Sequence, residues 1–128
     1  MLMAHPIEGF WKVVVSFEDP ASGVQRDFKT AQRFTSDGTV IVDAGIFVGI
    51  GIWEAVDAKT AKTKGVRPIV TGTMMEREFH GWQEAEGTFT VDDSGDVFTS
   101  EATFVVPAED GTEMRGTATT RGERVTFG

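Results

Sequence analysis

The sequence of 128 residues contains no cysteine, and this removes several classes of protein at once. Without thiols the chain cannot form a disulfide, a cysteine-ligated zinc site or a cysteine nucleophile. Its stability has to come from a hydrophobic core, and a chain of this length can bury roughly two-thirds of its unfolded surface. A protein that does not depend on disulfides suits a reducing compartment, so we expect a cytoplasmic location.

Positive charge is scarce as well. The chain has 12 lysines and arginines against 20 aspartates and glutamates, a formal net charge of -8. Binding to nucleic acid depends on clustered basic side chains, so we expect no nucleic-acid partner, and anionic membrane surfaces are disfavoured for the same reason. A homodimer stays open.

Long apolar runs are also missing. No stretch approaches about 18 consecutive apolar residues, the length that a membrane-spanning helix needs. The N-terminal residues 1–6 do not lead from a basic segment into an apolar one. We therefore expect a soluble protein with neither a membrane span nor a secretion signal, although the loss of a precursor segment stays open.

Helical periodicity is weak, whereas alternation of apolar and polar residues is strong. Residues 54–64 collect alanine, lysine and glutamate without an apolar stripe, so we interpret them as a strand end followed by a loop at 57–65. Elsewhere the alternation is interrupted by turn residues about every ten positions. The sequence predicts one domain, 1–128, with eight strands at residues 9–18, 24–34, 39–43, 47–56, 68–80, 82–91, 97–106 and 113–127.

Eight short strands in series favour an all-β fold, an eight-stranded antiparallel up-and-down barrel, with a sandwich as the alternative. A barrel leaves no exposed strand edges. The later strands carry small and aromatic residues on one face and polar residues on the other. We predict that the inward face holds Ala85, Gly87, Phe89, Phe98, Ala102, Phe104, Met114 and Gly116, and the outward face Glu84, Glu86, Glu101 and Arg115.

An eight-stranded barrel is just wide enough to be filled by side chains or to hold one small ligand. Because several inward residues are small, we predict a cavity bordered by Phe28, Trp53 and the inward face of the later strands. Its mouth is expected near Gly81, read as a turn, beside His80 and Trp82. The alternative is a core that the aromatic residues fill completely.

The opening Gly9-Phe10-Trp11 resembles the Gly-x-Trp motif that begins the first strand of lipocalins. The resemblance to small bacterial lipocalin-like proteins, mostly without an assigned role, extends over nearly the whole chain. It implies that Trp11 closes one end of the barrel beneath an arginine of the last strand, Arg121, with Arg124 as the alternative. An arginine over an indole is a favourable cation–π pair. The chain departs from secreted lipocalins in its shorter length and lack of cysteine.

A few polar residues could bind or react. His80 at a barrel mouth could act as a base or a haem ligand, and Arg77, if inward, could hold a carboxylate. Further inward polar candidates are Arg26, Gln32 and Gln83. The cluster Asp92, Asp93 and Asp96 lacks the glutamate that a calcium loop needs at its twelfth position, so it is read as a hairpin turn. We expect no metal and no cofactor.

The function that these patterns favour is binding of an apolar or amphipathic small molecule inside the barrel. One alternative is a cofactor-free isomerase or cyclase that acts on a hydrophobic substrate through shape and a few polar groups. A second alternative is a structural barrel with a filled core. The barrel interior distinguishes the three functions. An interior without polar side chains favours binding, a cluster of them favours catalysis, and the lack of a void favours the structural role.

Overall fold

A computed structural model describes residues 4–45, 47–108 and 110–127. Within these residues there are eight strands and no helix. The strands are β1 Gly9–Glu18, β2 Gln25–Phe34, β3 Thr39–Asp43, β4 Val48–Ala55, β5 Thr60–Gly72, β6 Arg77–Val91, β7 Val97–Pro107 and β8 Glu113–Arg124. Each strand pairs with the next along the chain, and β8 pairs antiparallel with β1, so that the barrel is closed. The predicted all-β, up-and-down barrel is confirmed.

The predicted boundary between the fifth and sixth strands is wrong. The segment read as a loop, 57–65, mostly belongs to β5, which begins at Thr60 and continues to Gly72. The turn lies at residues 73–76 and not at Gly81, which is inside β6. Met74 and Met75 are therefore at an exposed hairpin tip, at 83% and 93% exposure. The error arose because this part of β5 is partly exposed. Lysines occupy outward positions and a threonine an inward position, so its composition resembles that of a loop.

Gly81 marks a bulge, not a turn. The pairing of β5 with β6 shifts between Ile69 and Val70, which leaves His80 without an opposite residue. Gly81 takes a φ of 131°, which residues with a Cβ rarely adopt, and a Cβ there would lie 3.1 Å from the Pro107 ring. A glycine at this position therefore allows the strand to bend against the end of β7.

Alternation along the strands separates the two faces of the barrel as the sequence predicts. Glu84, Glu86, Glu101 and Arg115 are exposed, while the residues between them point inward and are buried or partly buried. The predicted inward residues also lie opposite one another on neighbouring strands, as Gly87 does with Ala102 and Phe104 with Gly116.

The fully packed core fills only one end of the barrel, which we call the closed end. Its centre is Phe98, whose ring lies 4.8 Å from that of Trp11 and 5.2 Å from that of Phe89. The ring of Phe34 packs 5.5 Å from that of Phe89 and 6.4 Å from that of Trp53. Except for the partly buried Trp53, these aromatic residues are at most 7% exposed.

The N-terminal segment, residues 4–8, covers the closed end. Ile7 has no exposed surface, and its carbonyl oxygen accepts a hydrogen bond of 2.9 Å from Trp11 Nε1. His5 packs its ring 5.7 Å from that of Trp53 and hydrogen-bonds the carbonyl oxygen of Asp57. The segment thus seals the opening between the strands.

The arginine over Trp11 is Arg124, and the expectation of Arg121 was wrong. Trp11 lies opposite Arg124 in the pairing of β1 with β8, whereas Arg121 lies opposite Val14. Because side chains alternate along a strand, residues three positions apart face opposite sides. Arg121 accordingly points outward and is exposed, while the Arg124 guanidinium carbon lies 4.3 Å from the Trp11 ring centroid.

Candidate ligand-binding site at the open end

A second group of aromatic residues lies inside the other half of the barrel, which we call the open end. The ring of Phe17 lies 5.8 Å from that of Phe28 and 6.0 Å from that of Phe104. Phe28 pairs with Val15 on the inward face, yet 37% of its surface is exposed. β2 pairs with β3 only through Ala31–Phe34, so Phe28 lies beside an unpaired strand edge at this end of the barrel, where solvent reaches its ring.

The glycines inside the barrel do not all leave space. A Cβ on Gly116 would lie 2.8 Å from Cε1 of Phe104, and a Cβ on Gly122 would lie 2.7 Å from Cδ2 of Phe98. These two glycines of β8 are therefore covered by phenylalanine rings. A Cβ on Gly49 of β4 would instead meet only Val42, at 3.7 Å, an ordinary contact distance.

The inner wall formed by β4, β5 and β6 consequently projects little side-chain volume into the open half. Its inward positions are occupied by glycine or alanine over several neighbouring rows, at Gly49, Gly51, Gly65 and Ala85. We take the region beside this wall, near the aromatic group on β1, β2 and β7, as the candidate ligand-binding site.

Arg67 of β5 is a charged residue that borders this region. It pairs with Gln83 of β6, and its Nε donates a hydrogen bond to the Gln83 side-chain oxygen. Its guanidinium carbon lies 3.9 Å from the centre of the Phe47 ring. Burial lowers the pKa of Arg67 from its usual value, but an arginine remains protonated at neutral pH. The residue presents a cation, partly removed from water, near the mouth of the barrel.

Four hydroxyl or amide side chains lie deeper inside. The Gln32 side-chain nitrogen donates a hydrogen bond of 3.2 Å to Thr30 Oγ1, and the hydroxyls of Ser100 and Thr120 bond one another. Gln32 is only 5% exposed, and its Oε1 has no hydrogen-bond partner. A buried acceptor without a partner is costly, so a donor from a ligand or a water would stabilise this position.

The structure divides the predicted ligand-binding residues between the two halves. Trp53, Phe89 and Phe98 belong to the packed closed end, and Gly87 and Ala102 lie opposite one another farther along the same inner face. The open half contains Phe28, Ala85, Phe104, Met114 and Gly116.

The two predicted polar residues at the mouth lie in the part of β6 next to the hairpin tip. Arg77 is exposed beside the hairpin tip, opposite Gly72. His80 sits at the bulge and bonds Thr71 Oγ1 through Nε2 at 2.8 Å.

Arg67 was missed because it fell between the predicted loop at 57–65 and the predicted strand at 68–80. The signal was nevertheless present. Period-two alternation continues through Ala61, Thr63, Gly65 and Arg67 on one face and Lys62, Lys64 and Val66 on the other. Gln32 and Gln83, by contrast, were anticipated as inward polar residues.

The outer face around Thr88, Thr103 and Thr117 shows ordinary solvent-facing chemistry. A shallow groove of about 860 Å³ on the outer face of β4–β8 is bordered mainly by outward threonines and paired charges such as Lys64 and Glu86. In the described part of the chain, no three histidine, aspartate or glutamate side chains are grouped to hold a metal ion. None of the described residues forms a helix that could cross a membrane.

The fold defines a class: a closed, eight-stranded antiparallel barrel whose packed core lies at one end, an architecture compatible with a calycin-like fold. Comparison with protein family models, with curated proteins and with solved structures found no match for this chain.

Proposed function

We propose that this chain is a lipocalin-like binding protein that takes one small amphipathic molecule into the open half of its barrel. The observation that carries the proposal is the contrast between the two aromatic groups. Both point inward, but Phe98 at the closed end is 0% exposed and Phe28 at the open end is 37% exposed. Covering Phe28 and its neighbours with an apolar ligand would remove this surface from water, at about 25 cal/mol per Å².

The polar end of the ligand is proposed to be an anion, and a carboxylate fits best. Arg67 lies at the rim of the same space, held between Phe47 and Gln83, and its remaining N–H groups can donate two parallel hydrogen bonds to a carboxylate. The apolar part would then lie against the wall at Gly49 and the rings of Phe28 and Phe104.

Binding is preferred over catalysis because of the kind of titratable residue that points inward. The charged residues that are both inward and partly buried in the described strands are the arginines Arg67 and Arg124, while Arg26 and Glu78 occupy inward positions but are exposed. Arginine can hold an anion but does not exchange its proton near neutral pH. This supports a binding protein over an isomerase or cyclase that works by proton transfer.

The proposal is tested by calorimetric titration with decanoic acid and with 1-decanol, after native mass spectrometry of the purified protein for any ligand that it carries. Both probes should bind one per barrel, and Gly49→Leu should weaken both because it fills the space. Arg67→Met should weaken decanoic acid by about tenfold or more and leave 1-decanol unchanged, since a charge-assisted hydrogen bond contributes about 1.5–3 kcal/mol.

Thr117→Leu, on the outer face, is the matched control and should bind like the wild type. If neither probe binds the wild type, the barrel is not a container. If both probes bind but Arg67→Met affects them equally, the barrel is a container whose anion site lies elsewhere.

A further inference from the structure

The outer face of strands β3 to β6 carries apolar side chains at positions that point to solvent. We call this surface the apolar face. Each of its members is between 39% and 66% exposed: Ile41, Val48, Ile50, Ile52, Val66, Val70, Phe79 and Trp82.

The pairing of the strands makes the apolar face continuous. Ile50 lies opposite Ile41 on one side and opposite Val66 on the other, so one row crosses three strands. Nearer the open end, Val70 lies opposite Phe79, whose ring is 5.4 Å from that of Trp82. The surface therefore extends without interruption from β3 to β6.

Strand β8 on the other side of the barrel shows that this composition is not general. Its outward positions are polar throughout: Glu113, Arg115, Thr117, Thr119, Arg121 and Glu123. Both surfaces belong to the same antiparallel barrel, so the difference in composition reflects a difference in the surroundings of each surface. The β8 side has the composition of a surface in water, and the apolar face does not.

The size of the apolar face matches an interface between proteins. Eight side chains with these exposures present on the order of 800 Å² of apolar surface, above the few hundred Å² that monomers usually expose. A stable interface of standard size buries about 800 Å² on each partner.

We propose that a second copy of this chain covers the apolar face, in a dimer with two-fold symmetry. Two apolar sheet faces can pack against one another about 10 Å apart, as the layers of a β-sandwich do. A two-fold dimer uses the same patch on both partners and is the commonest oligomer of soluble proteins.

The charges at the rim of the apolar face are compatible with a second copy of the chain as the occupant. Two chains of net charge -8 repel one another over most of their surfaces. At the rim of the apolar face, however, Lys62 lies 3.1 Å from Glu54 and Lys64 lies 3.5 Å from Glu86, so the charges there are balanced. An anionic lipid surface would instead require an excess of positive charge at this rim.

The test is the mass of the protein in solution, measured by sedimentation at about 1 to 100 µM. The wild type should have twice the 13.9 kDa mass of the chain. The double variant Ile50→Lys/Ile52→Lys should be monomeric, with the dissociation constant raised about 100-fold or more, because an interface does not accommodate unpaired charges. Thr117→Lys/Thr119→Lys adds the same charge on the polar side and should remain dimeric.

A second readout does not depend on added charge. Because the chain has no cysteine, Ile52→Cys and Thr117→Cys each introduce a single thiol. Alkylation of Ile52→Cys should be slow at high protein concentration and become faster on dilution, while that of Thr117→Cys should be independent of concentration. A monomeric wild type, a dimer that the lysines at 50 and 52 leave intact, or equal alkylation of both thiols would overturn the proposal.

Discussion

The guanidinium of Arg124 covers the indole of Trp11 at 4.3 Å and at the same time joins three separate segments of the chain. Its Nε donates to the carbonyl oxygen of Gly95 at 2.9 Å, and its two terminal nitrogens donate to the carbonyl oxygens of Glu8 and Pro6. One side chain thereby ties the last strand to the N-terminal segment and to the turn between β6 and β7, so the closed end depends on it.

The first prediction concerns Trp11 itself. Trp11→Ala should lower the free energy of unfolding by about 3–5 kcal/mol, because it removes a large aromatic side chain that has no exposed surface. Phe10→Ala, the neighbouring outward position at 45% exposure, should cost less than about 1 kcal/mol. Urea denaturation measures both, and equal midpoints for the two variants would contradict the burial of Trp11.

The second prediction separates the two arginines of β8. Arg124→Lys keeps the positive charge, but an ammonium group cannot reproduce the planar guanidinium that donates hydrogen bonds in three directions. The substitution should therefore lower the free energy of unfolding by about 2–3 kcal/mol. Arg121→Lys, on the exposed outer face, should change the free energy of unfolding by no more than about 0.5 kcal/mol. The assignment of Arg124 would fail if the larger loss were measured at position 121.

The third prediction compares two inward glycines. Gly116→Ala should destabilise the protein by about 1–3 kcal/mol, because the added methyl group would overlap the Phe104 ring. Gly49→Ala meets only Val42 at contact distance and should be neutral or slightly stabilising, since alanine restricts the unfolded chain. Thermal unfolding of the two variants is the measurement, and a tolerated Gly116→Ala would show that the ring of Phe104 has room to move.

The fourth prediction concerns acid stability. Hydrogen bonds from the side chains of Thr35 and Thr39 hold the pKa of Asp37 below its usual 3.8, and a hydrogen bond from Ser94 does the same for the pKa of Asp92. Because these pKa values are lower in the folded state, their contribution is complete above about pH 4 and is lost as the pH falls through the folded values.

Asp37→Asn retains the acceptor oxygen for this turn without the titration. Its free energy of unfolding should therefore fall less steeply between about pH 4 and 2 than that of the wild type. The measurement is a series of urea titrations across this range, with the exposed Asp27→Asn as the control. An unchanged slope for Asp37→Asn would exclude this turn as a source of the acid sensitivity.

Alternation alone was enough to predict much of this structure. It identified eight strands and placed Phe89, Phe98, Phe104 and Met114 on the inner face, while the buried Trp11 was implied by the resemblance to lipocalins. Side-chain direction in a strand is a local property with a period of two residues, so the sequence carries it directly. Alternation could not locate the hairpin tip at residues 73–76, where the chain offers Met74 and Met75 instead of typical turn residues.

The sequence by itself determined the number of strands and the inward residues of β6 to β8 between Ala85 and Gly116, whereas the closure of β8 onto β1 came from the tertiary structure. Only the tertiary structure decided how deep each inward residue lies: that Phe98 is packed and Phe28 is exposed, that Arg67 reaches the mouth, and that Arg124 covers Trp11. The physical reason is that depth depends on the stagger between neighbouring strands. That stagger is set by pairings such as Trp11 with Arg124, which join residues far apart in the sequence.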